Sequence, residues 1–347
     1  MEHSVMPATG AAMTAAPSPE QVFETLTAFQ RTAALRGAIE LDLFTAIAEG
    51  ASTVQAIAAR CQASERGTRI LCDYLTIIGF LNKTGQTYAL TQNSAIFLNR
   101  HSPAYIGSVA RFLNSPSLMD AFQNVAETVR RGTTLLGGAG SMDPEHPMWV
   151  EFARAMMPMM APAAEGIATL LEAEKGESWK VLDIAAGHGI FGVTLARRNP
   201  QAQVTALDWQ NVLNVALENA RAAGVIDRYH LLPGSAFEVD YGTGYDVVLL
   251  TNFLHHFDQP TCETLLRRVQ AALKPGGRAV TLEFVPNDDR VTPPMEATFS
   301  LTMLATTAAG DAYTFAEYGE MFRRAGFARS EIHQVPMSPQ HVIISHK

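Results

Sequence analysis

VLDIAAGHGIFGVTLARRNPQAQVTALD, residues 181–208, reads as strand, turn, helix and strand. A short apolar run ends at Asp183. A turn of small residues follows (Ala185, Ala186, Gly187, His188, Gly189), then a helical segment, then a second apolar run ending at Asp208. Small residues at such a turn let a nucleotide-like ligand reach bare backbone. Gly187, Gly189 and Gly192 also match G-x-G-x-x-G, which sets a helix N-terminus against a pyrophosphate.

Asp183 points away from a dinucleotide. A carboxylate just ahead of the glycines repels pyrophosphate and suits a cationic amino-acid tail. S-adenosylmethionine carries such a tail and no phosphate. Asp208 lies 21 residues beyond Gly187, where a carboxylate accepts both ribose hydroxyls.

Outward from this unit, residues 180–184, 203–208, 229–233, 245–252 and 277–284 read as strands alternating with helices. The helix after Asp258 and Pro260 runs to Leu273 and stops at Lys274-Pro275-Gly276-Gly277. Thr314 and Glu317 form a capping box for a helix ending at Gly326. Two last strands, near 327–335 and 340–346, are expected as an antiparallel edge. The alternation predicts a mainly parallel sheet covered on both faces.

The N-terminal part differs. Residues 20–50 read as helices, with Phe23, Leu26, Phe29 and Ala33 at helical spacing. Ser52 is expected to cap the helix TVQAIAARC, and Ser64 the helix ERGTRILCDYLTIIG. FLNKTGQTYALT alternates around Lys83-Thr84-Gly85-Gln86 and reads as a hairpin. Two helices and a hairpin in that order form a winged helix. Its second helix offers only Arg66 and Arg69 beside Glu65 and Asp73, so a structural or dimer-forming role is preferred over DNA binding. Residues 101–175 look helical, interrupted by the GTTLLGGAGS loop at 132–141. The methionines of PEHPMWVEFARAMMPMM read first as core filler.

The bulk properties agree. The chain has 347 residues, 47% hydrophobic and 17% charged, which allows two domains with a large core. A net charge of −8 argues against nucleic-acid and anionic-membrane partners, which require clustered cations. Cys61, Cys72 and Cys262 are scattered, fitting a reducing cytoplasm rather than a disulfide framework or zinc site. The richest apolar stretch, 155–164, is broken by Pro158 and Pro162, short of the ~20 residues a membrane helix needs. No basic start leads an apolar block, so no signal peptide is read. The expected organisation is an unstructured tail over 1–18, a dimerisation domain over 19–100, a helical substrate-lining segment over 101–175 and a cofactor-binding domain over 176–347.

Six segments in order carry a resemblance: VLDIAAGHG, VTALDWQNVL, LLPGSAFE, DVVLLTNFLHHFDQPTC, LKPGGRAVTLEFVP and MLATTAAGDAYT. Together they resemble the S-adenosylmethionine-dependent small-molecule O-methyltransferases of plant phenylpropanoid and bacterial natural-product metabolism. The resemblance covers roughly residues 20–347. It implies a Rossmann-like seven-stranded, mostly parallel α/β sheet of the class I methyltransferase type, behind a mainly α-helical winged-helix domain. It implies a homodimer formed through that domain, a small-molecule methyl acceptor, S-adenosylhomocysteine as product, and no metal.

The resemblance also assigns residues. Asp183, Gly187, Gly189 and Asp208 would make the cofactor site, and the segment with Ser235, Ala236 and Phe237 would run past the adenine; apart from the resemblance, Trp209 and Asn252 are further cofactor-binding candidates. Ser235 and Ala236 depart from the family's usual acid and apolar residue there, and Ala185 replaces a glycine. By position His255 would remove the acceptor's proton, with Glu283 orienting it and His256 beside it. A second family Glu falls at Ala312, beside Asp311. Met156 and Met303 match positions that line the donor and acceptor side in the family. Apart from the resemblance, Phe112, Trp149, Phe152, Met160 and Phe299 suggest an apolar pocket with them, with Thr307 a further lining candidate, and the apolar residues would serve equally as core or dimer interface.

The expected chemistry is methylation of a hydroxyl, whose proton an imidazole can accept near neutral pH. Transfer to sulfur or carbon is the alternative, and a thioether needs no base. Two further alternatives are a winged-helix regulator sensing S-adenosylmethionine and a cofactor-binding relative that has lost catalysis.

Overall fold

A computed structural model describes residues 17–137, 147–175, 177–336 and 338–347. Residues 1–16 of the expected tail and 138–141 of the expected loop lie outside the described residues. The chain divides into two compact units, Met1–Pro103 and Ala104–Lys347.

The first unit contains α1 (Glu20–Thr27), α2 (Phe29–Glu40), α3 (Leu43–Ala48), α4 (Val54–Arg60), α5 (Glu65–Ile77), the hairpin β1 (Leu81–Thr84) and β2 (Thr87–Leu90), and α6 (Gln92–Phe97). Leu43, Phe44, Ile57, Leu75 and Leu81 are buried at its centre. Ser64 caps α5 by accepting the Gly67 N–H at 3.1 Å. The α4 cap is Thr53 rather than Ser52: Thr53 Oγ1 accepts the Ala56 N–H at 3.3 Å. The Ser52 carbonyl instead accepts the Tyr88 N–H, tying the helix start to the wing. On α5, Arg69 is paired with Asp73 at 3.0 Å. Within this unit α1 buries none of its residues, and Val22, Phe23, Leu26 and the following Phe29 stand exposed.

The second unit opens with α7 (Ser108–Leu113), α8 (Pro116–Ala121), α9 (Val125–Arg131) and α10 (Pro147–Leu170). The alternating part follows: β3 (Lys180–Ile184), α11 (Ile190–Arg198), β4 (Gln203–Asp208), α12 (Gln210–Ala222), β5 (Tyr229–Pro233), β6 (Tyr245–Thr251), α13 (Gln259–Ala272), β7 (Leu273–Glu283), α14 (Pro294–Thr306), α15 (Phe315–Arg324), β8 (Arg329–Gln334) and β9 (His341–His346). The seven strands lie in the order β5-β4-β3-β6-β7-β9-β8. The first five are parallel, while β9 runs antiparallel to both of its neighbours. The last two strands form the expected antiparallel pair at one end of the sheet, with β9 against β7 and β8 outermost.

Residues on β6 alternate between two cores. Val247 and Leu249 face the side of α10–α12, and Val248 and Leu250 the side of α13 and α15. A sheet buried on both faces reads as a continuous apolar run, as VVLL does. The Asp258 and Thr314 caps form as expected, the latter as a full capping box.

Pro158 and Pro162 do not end α10, which runs through both. Each proline leaves the carbonyl four residues earlier without its N–H donor, but packing of α10 on α7, α11 and α12 outweighs that loss. No helix among the described residues is long and apolar enough to cross a membrane.

Strand order reverses between β3, which leads to β4, and β6. In open α/β sheets ligands bind beyond the carboxyl ends of the strands at such a reversal.

Candidate active site

A cavity of about 240 Å³ lies at that place. Its floor is the turn after β3 (Ala185–His188) with Asp208 at the end of β4 and Trp209 after it. One wall is the segment after β6: Thr251, Asn252, Phe253, His255 and His256. Its apolar walls come from α10, with Trp149, Phe152, Met156 and Met160, and from α14, with Phe299 and Met303. Met156 and Met160, read first as core filler, are buried core residues that also border the cavity. Among the described residues, no Lys or Arg lines it.

The turn is built on left-handed backbone: φ is +54° at Ala185, +58° at Gly187 and +72° at Gly189. An alanine in this region costs about 1–2 kcal/mol that glycine avoids. Gly189 cannot be larger, because a Cβ would lie 2.6 Å from the Tyr229 hydroxyl and 2.8 Å from Ala216 Cβ. At Gly192 a Cβ would lie 2.8 Å from Val204 and 2.9 Å from Asp183 Oδ2. The third glycine therefore serves close packing of α11 on the sheet.

Asp208 Oδ2 accepts the Gly187 N–H at 2.8 Å and Oδ1 the Trp209 N–H at 2.7 Å. Burial outweighs these bonds and pushes its pKa up to about 6. Asp183 is fully buried beneath the turn rather than on the cavity wall. Its Oδ2 accepts the Gly192 N–H at 3.1 Å, while Oδ1 has no partner. Burial, with the neighbouring Asp208 charge adding to it, pushes Asp183 to about 7. The buried Tyr229 hydroxyl has no partner either. Unpaired buried polar groups are costly, and a ligand carrying an ammonium group and ribose hydroxyls suits this donor set.

The other centre is formed by neighbouring strand ends. β6 and β7 are paired, so Glu283, the last residue of β7, reaches the one-turn 3₁₀ helix Leu254–His256 that follows β6. Glu283 Oε1 accepts the Phe253 and Leu254 N–H groups at 3.1 and 2.9 Å. Its Oε2 holds His255 Nδ1, and both side chains are buried. With Nδ1 donating to the carboxylate, Nε2 carries the lone pair.

His256 is bonded differently. Its Nδ1 donates to the Phe253 carbonyl at 3.2 Å. Burial, then the neighbouring His255, hold its pKa well below the usual imidazole value, so it is neutral. The two imidazole centroids lie 4.3 Å apart, and Phe299 packs edge-on against His255 at 4.9 Å.

Asp311 does not supply a second acid to His255. Its carboxylate pairs with Arg290 at 3.2 Å, and only its backbone N–H meets His255, donating to the carbonyl at 3.0 Å. Gly310 beside it must be glycine, since a Cβ would sit 2.2 Å from the His255 carbonyl oxygen.

Several expected site residues lie elsewhere. Thr307 is buried off the cavity, donating to the Met303 carbonyl and accepting the Gly310 N–H; Thr302 and Thr306 line the opening instead. Ser235, Ala236 and Phe237 follow β5 outside the cavity lining. There Ser235 Oγ accepts the Phe237 N–H, and the Phe237 ring packs on Phe257. Gly189 is not among the lining residues. Sequence reasoning missed His188, Phe284, Leu118, Leu136, Met148 and Met159, which all line the cavity. His188 had a signal, its place between two glycines of the turn. Its Nδ1 accepts the Ile190 N–H, and burial lowers its pKa to about 4.

Residues 159–328 match the O-methyltransferase domain, and residues 23–100 match the O-methyltransferase dimerisation domain. A solved structure from Nostoc punctiforme PCC 73102, described only provisionally as an O-methyltransferase, is 52% identical. The match covers 96% of this chain and 100% of that one, with a TM-score of 0.93. The chain belongs to the O-methyltransferase family.

This O-methyltransferase is 28% identical over 315 residues to the tetracenomycin polyketide synthesis 8-O-methyltransferase of Streptomyces glaucescens, covering 89% of this chain and 91% of the relative. It shares its fold with human N-acetylserotonin methyltransferase solved with S-adenosylmethionine, at 21% identity and a TM-score of 0.81, covering 96% and 99% of the two chains. The chain is an S-adenosylmethionine-dependent methyltransferase acting on oxygen of a small molecule.

Proposed function

We propose that the acceptor is a neutral, largely aromatic molecule, and that His255 removes the proton from its hydroxyl as the methyl group arrives. The buried His255–Glu283 pair at the edge of a largely apolar cavity carries this reading. Glu283 fixes the imidazole with Nε2 basic and stabilises the charge it gains. His256, bonded to a backbone carbonyl and held neutral, lacks a carboxylate to stabilise a proton and serves as wall. The lack of Lys and Arg among the described lining residues disfavours acceptors with a carboxylate or phosphate. Aromatic and methionine side chains suit a flat ring system.

With Asp183 and Gly189 shaping the turn from behind, Gly187, Asp208 and Trp209 would hold S-adenosylmethionine. Bound there, it supplies a methyl carbon already activated by its sulfonium, so no metal is called for. What the protein adds is alignment, exclusion of water and proton removal. His255→Ala is expected to lower kcat about 10²–10⁴-fold while S-adenosylhomocysteine still binds by calorimetry. Turnover near the wild-type rate would overturn the oxygen-acceptor mechanism with His255 as base.

The protein partner is a second copy of the chain. The dimerisation-domain match supports this, as do Val22, Phe23, Leu26 and Phe29, which are 60–67% exposed. Such an apolar stripe calls for a covering surface. Phe23→Asp with Leu26→Asp should shift the light-scattering mass at micromolar concentration from dimer to monomer; a wild-type monomer would refute the reading. Three free cysteines suit the reducing cytoplasm as the place of action.

A further inference from the structure

Asn252 follows β6 with φ +55°, an uncommon backbone that asparagine tolerates. Its N–H donates to the Leu282 carbonyl at 2.9 Å, and it lines the cavity three residues before His255. Its carboxamide oxygen accepts a hydrogen bond from Gln340 Nε2. Gln340 is 2% exposed and lies 88 residues away in sequence, just ahead of β9. Its own N–H is fixed by Ser338 Oγ at 3.1 Å. The link it belongs to is anchored by Val335, which packs against Gly166 of α10 so closely that a Cβ there would lie 2.2 Å from it.

With the oxygen so committed, the amide NH₂ is the end Asn252 has left for the cavity. It meets Met160 Sδ at 3.7 Å, a weak acceptor. Turning both amides over would set the Asn252 oxygen against that sulfur, one acceptor facing another.

The neighbouring groups have complementary roles. His255 Nε2 takes a proton, and His256 uses its Nδ1–H on a backbone carbonyl. Asn252 is thus a fixed hydrogen-bond donor beside the base, among apolar walls. A cavity donor left unpaired by a bound ligand costs affinity, which is how such sites discriminate.

We propose that Asn252 donates a hydrogen bond to a second oxygen of the methyl acceptor, that Gln340 positions it, and that acceptors bearing a carbonyl besides their hydroxyl are preferred. This rests on the reading of a neutral aromatic hydroxyl acceptor given above. Gln340 is a positioning residue, acting through Asn252.

The test compares 1- and 2-hydroxyanthraquinone with 1- and 2-hydroxyanthracene, which share a ring frame and differ in the carbonyls. The readout is the ratio of kcat/KM between the two sets, in the wild type and in Asn252→Ala, Asn252→Asp and Gln340→Met. The ratio is expected to fall about tenfold in Asn252→Ala and Gln340→Met, and further in Asn252→Asp, whose carboxylate repels a carbonyl oxygen. S-adenosylhomocysteine affinity, measured in each variant, separates a cofactor contact from an acceptor contact. An unchanged ratio overturns the proposal, whichever way the absolute rates move. A wild type that methylates neither set overturns the neutral-acceptor reading and the proposal with it; turnover of both sets at an unchanged ratio overturns the proposal alone.

Discussion

Glu283→Gln should lower kcat by about 10³–10⁴-fold in a protein that remains folded. The glutamine oxygen can keep both backbone bonds, to the Phe253 and Leu254 N–H groups, that Glu283 Oε1 makes. Its NH₂ then faces His255 Nδ1, the atom that Oε2 holds in the native protein. A donor opposite Nδ1 forces that nitrogen to accept, and the ring hydrogen moves to Nε2. The imidazole keeps its place and loses its basic nitrogen. Stopped-flow or steady-state rates, with the melting temperature as control, check this. Glu283→Ala should differ by also leaving two buried N–H groups unpaired, so its melting temperature should fall as well. If Glu283→Gln retains wild-type turnover, the carboxylate is a loop cap with no part in the chemistry.

Asp183→Asn should change two properties in opposite directions. Cofactor affinity should fall about tenfold at pH 8, because the buried negative charge beneath the turn that receives the cationic tail is removed. The unliganded protein should become more stable at the same pH. Asp183 has a pKa of about 7 when folded, against the ordinary carboxylate value near 4 in an unfolded chain. Between about pH 4 and 7 the folded state therefore binds more protons than the unfolded one. Wild-type stability falls as pH rises through that window, and the full penalty applies above it. Asparagine takes up no proton and escapes the penalty, which is at most roughly 4 kcal/mol.

The melting-temperature gain of Asp183→Asn should thus be largest above pH 7 and vanish near pH 4. Asp208, raised to about 6, adds a smaller slope of the same sign between about pH 4 and 6 in both proteins. Calorimetric titration with S-adenosylhomocysteine at pH 5.5 and 8 supplies the second half of the test. Wild-type affinity should weaken toward acid, while the contribution of residue 183 disappears in the variant. Equal affinities in the two proteins at pH 8 would show that Asp183 serves only the fold.

Much of the fold could be read because its signals are local. The β3–α11–β4 unit is spelled out within 28 residues by two apolar runs and a turn of small residues. The Ser64 cap and the Thr314 capping box rest on pairs three residues apart. The errors have physical causes. Ser52 and Thr53 are chemically equivalent caps, and the wing decides between them by taking the Ser52 carbonyl. The prolines of α10 oppose a helix locally, yet neighbouring helices hold it. Thr306 and Thr307 differ only in the angle at which the end of α14 leaves each of them, which residue type does not encode.

The site was legible in a similar measure. Asp183, Asp208 and the glycines sit where one β–α–β pattern places them. The approach of Glu283 to His255 spans 28 residues and depends on two strands pairing in one register; resemblance supplied it, and no local periodicity does. Gln340 is farther still, and nothing in the residues around it marks it as a partner of Asn252. His188 is a residue whose meaning changes with φ at its neighbours, so composition alone reads it as a spacer.

The interior position of β9 sets the order in which the molecule can be completed during synthesis. β7 pairs with β6 on one side and with β9 on the other, and Glu283 lies opposite His341 in that second pairing. A chain leaving the ribosome N-terminus first therefore exposes β7 as an open edge until residues 341–346 emerge. The strands of the cofactor half, β3 to β6, need nothing that comes so late. The nascent chain can assemble its methyl-donor side while the strand bearing the carboxylate that anchors His255 still waits for its last neighbour. An open edge of this kind invites pairing with another chain, so the interval before β9 docks is when this protein is most exposed to misassembly.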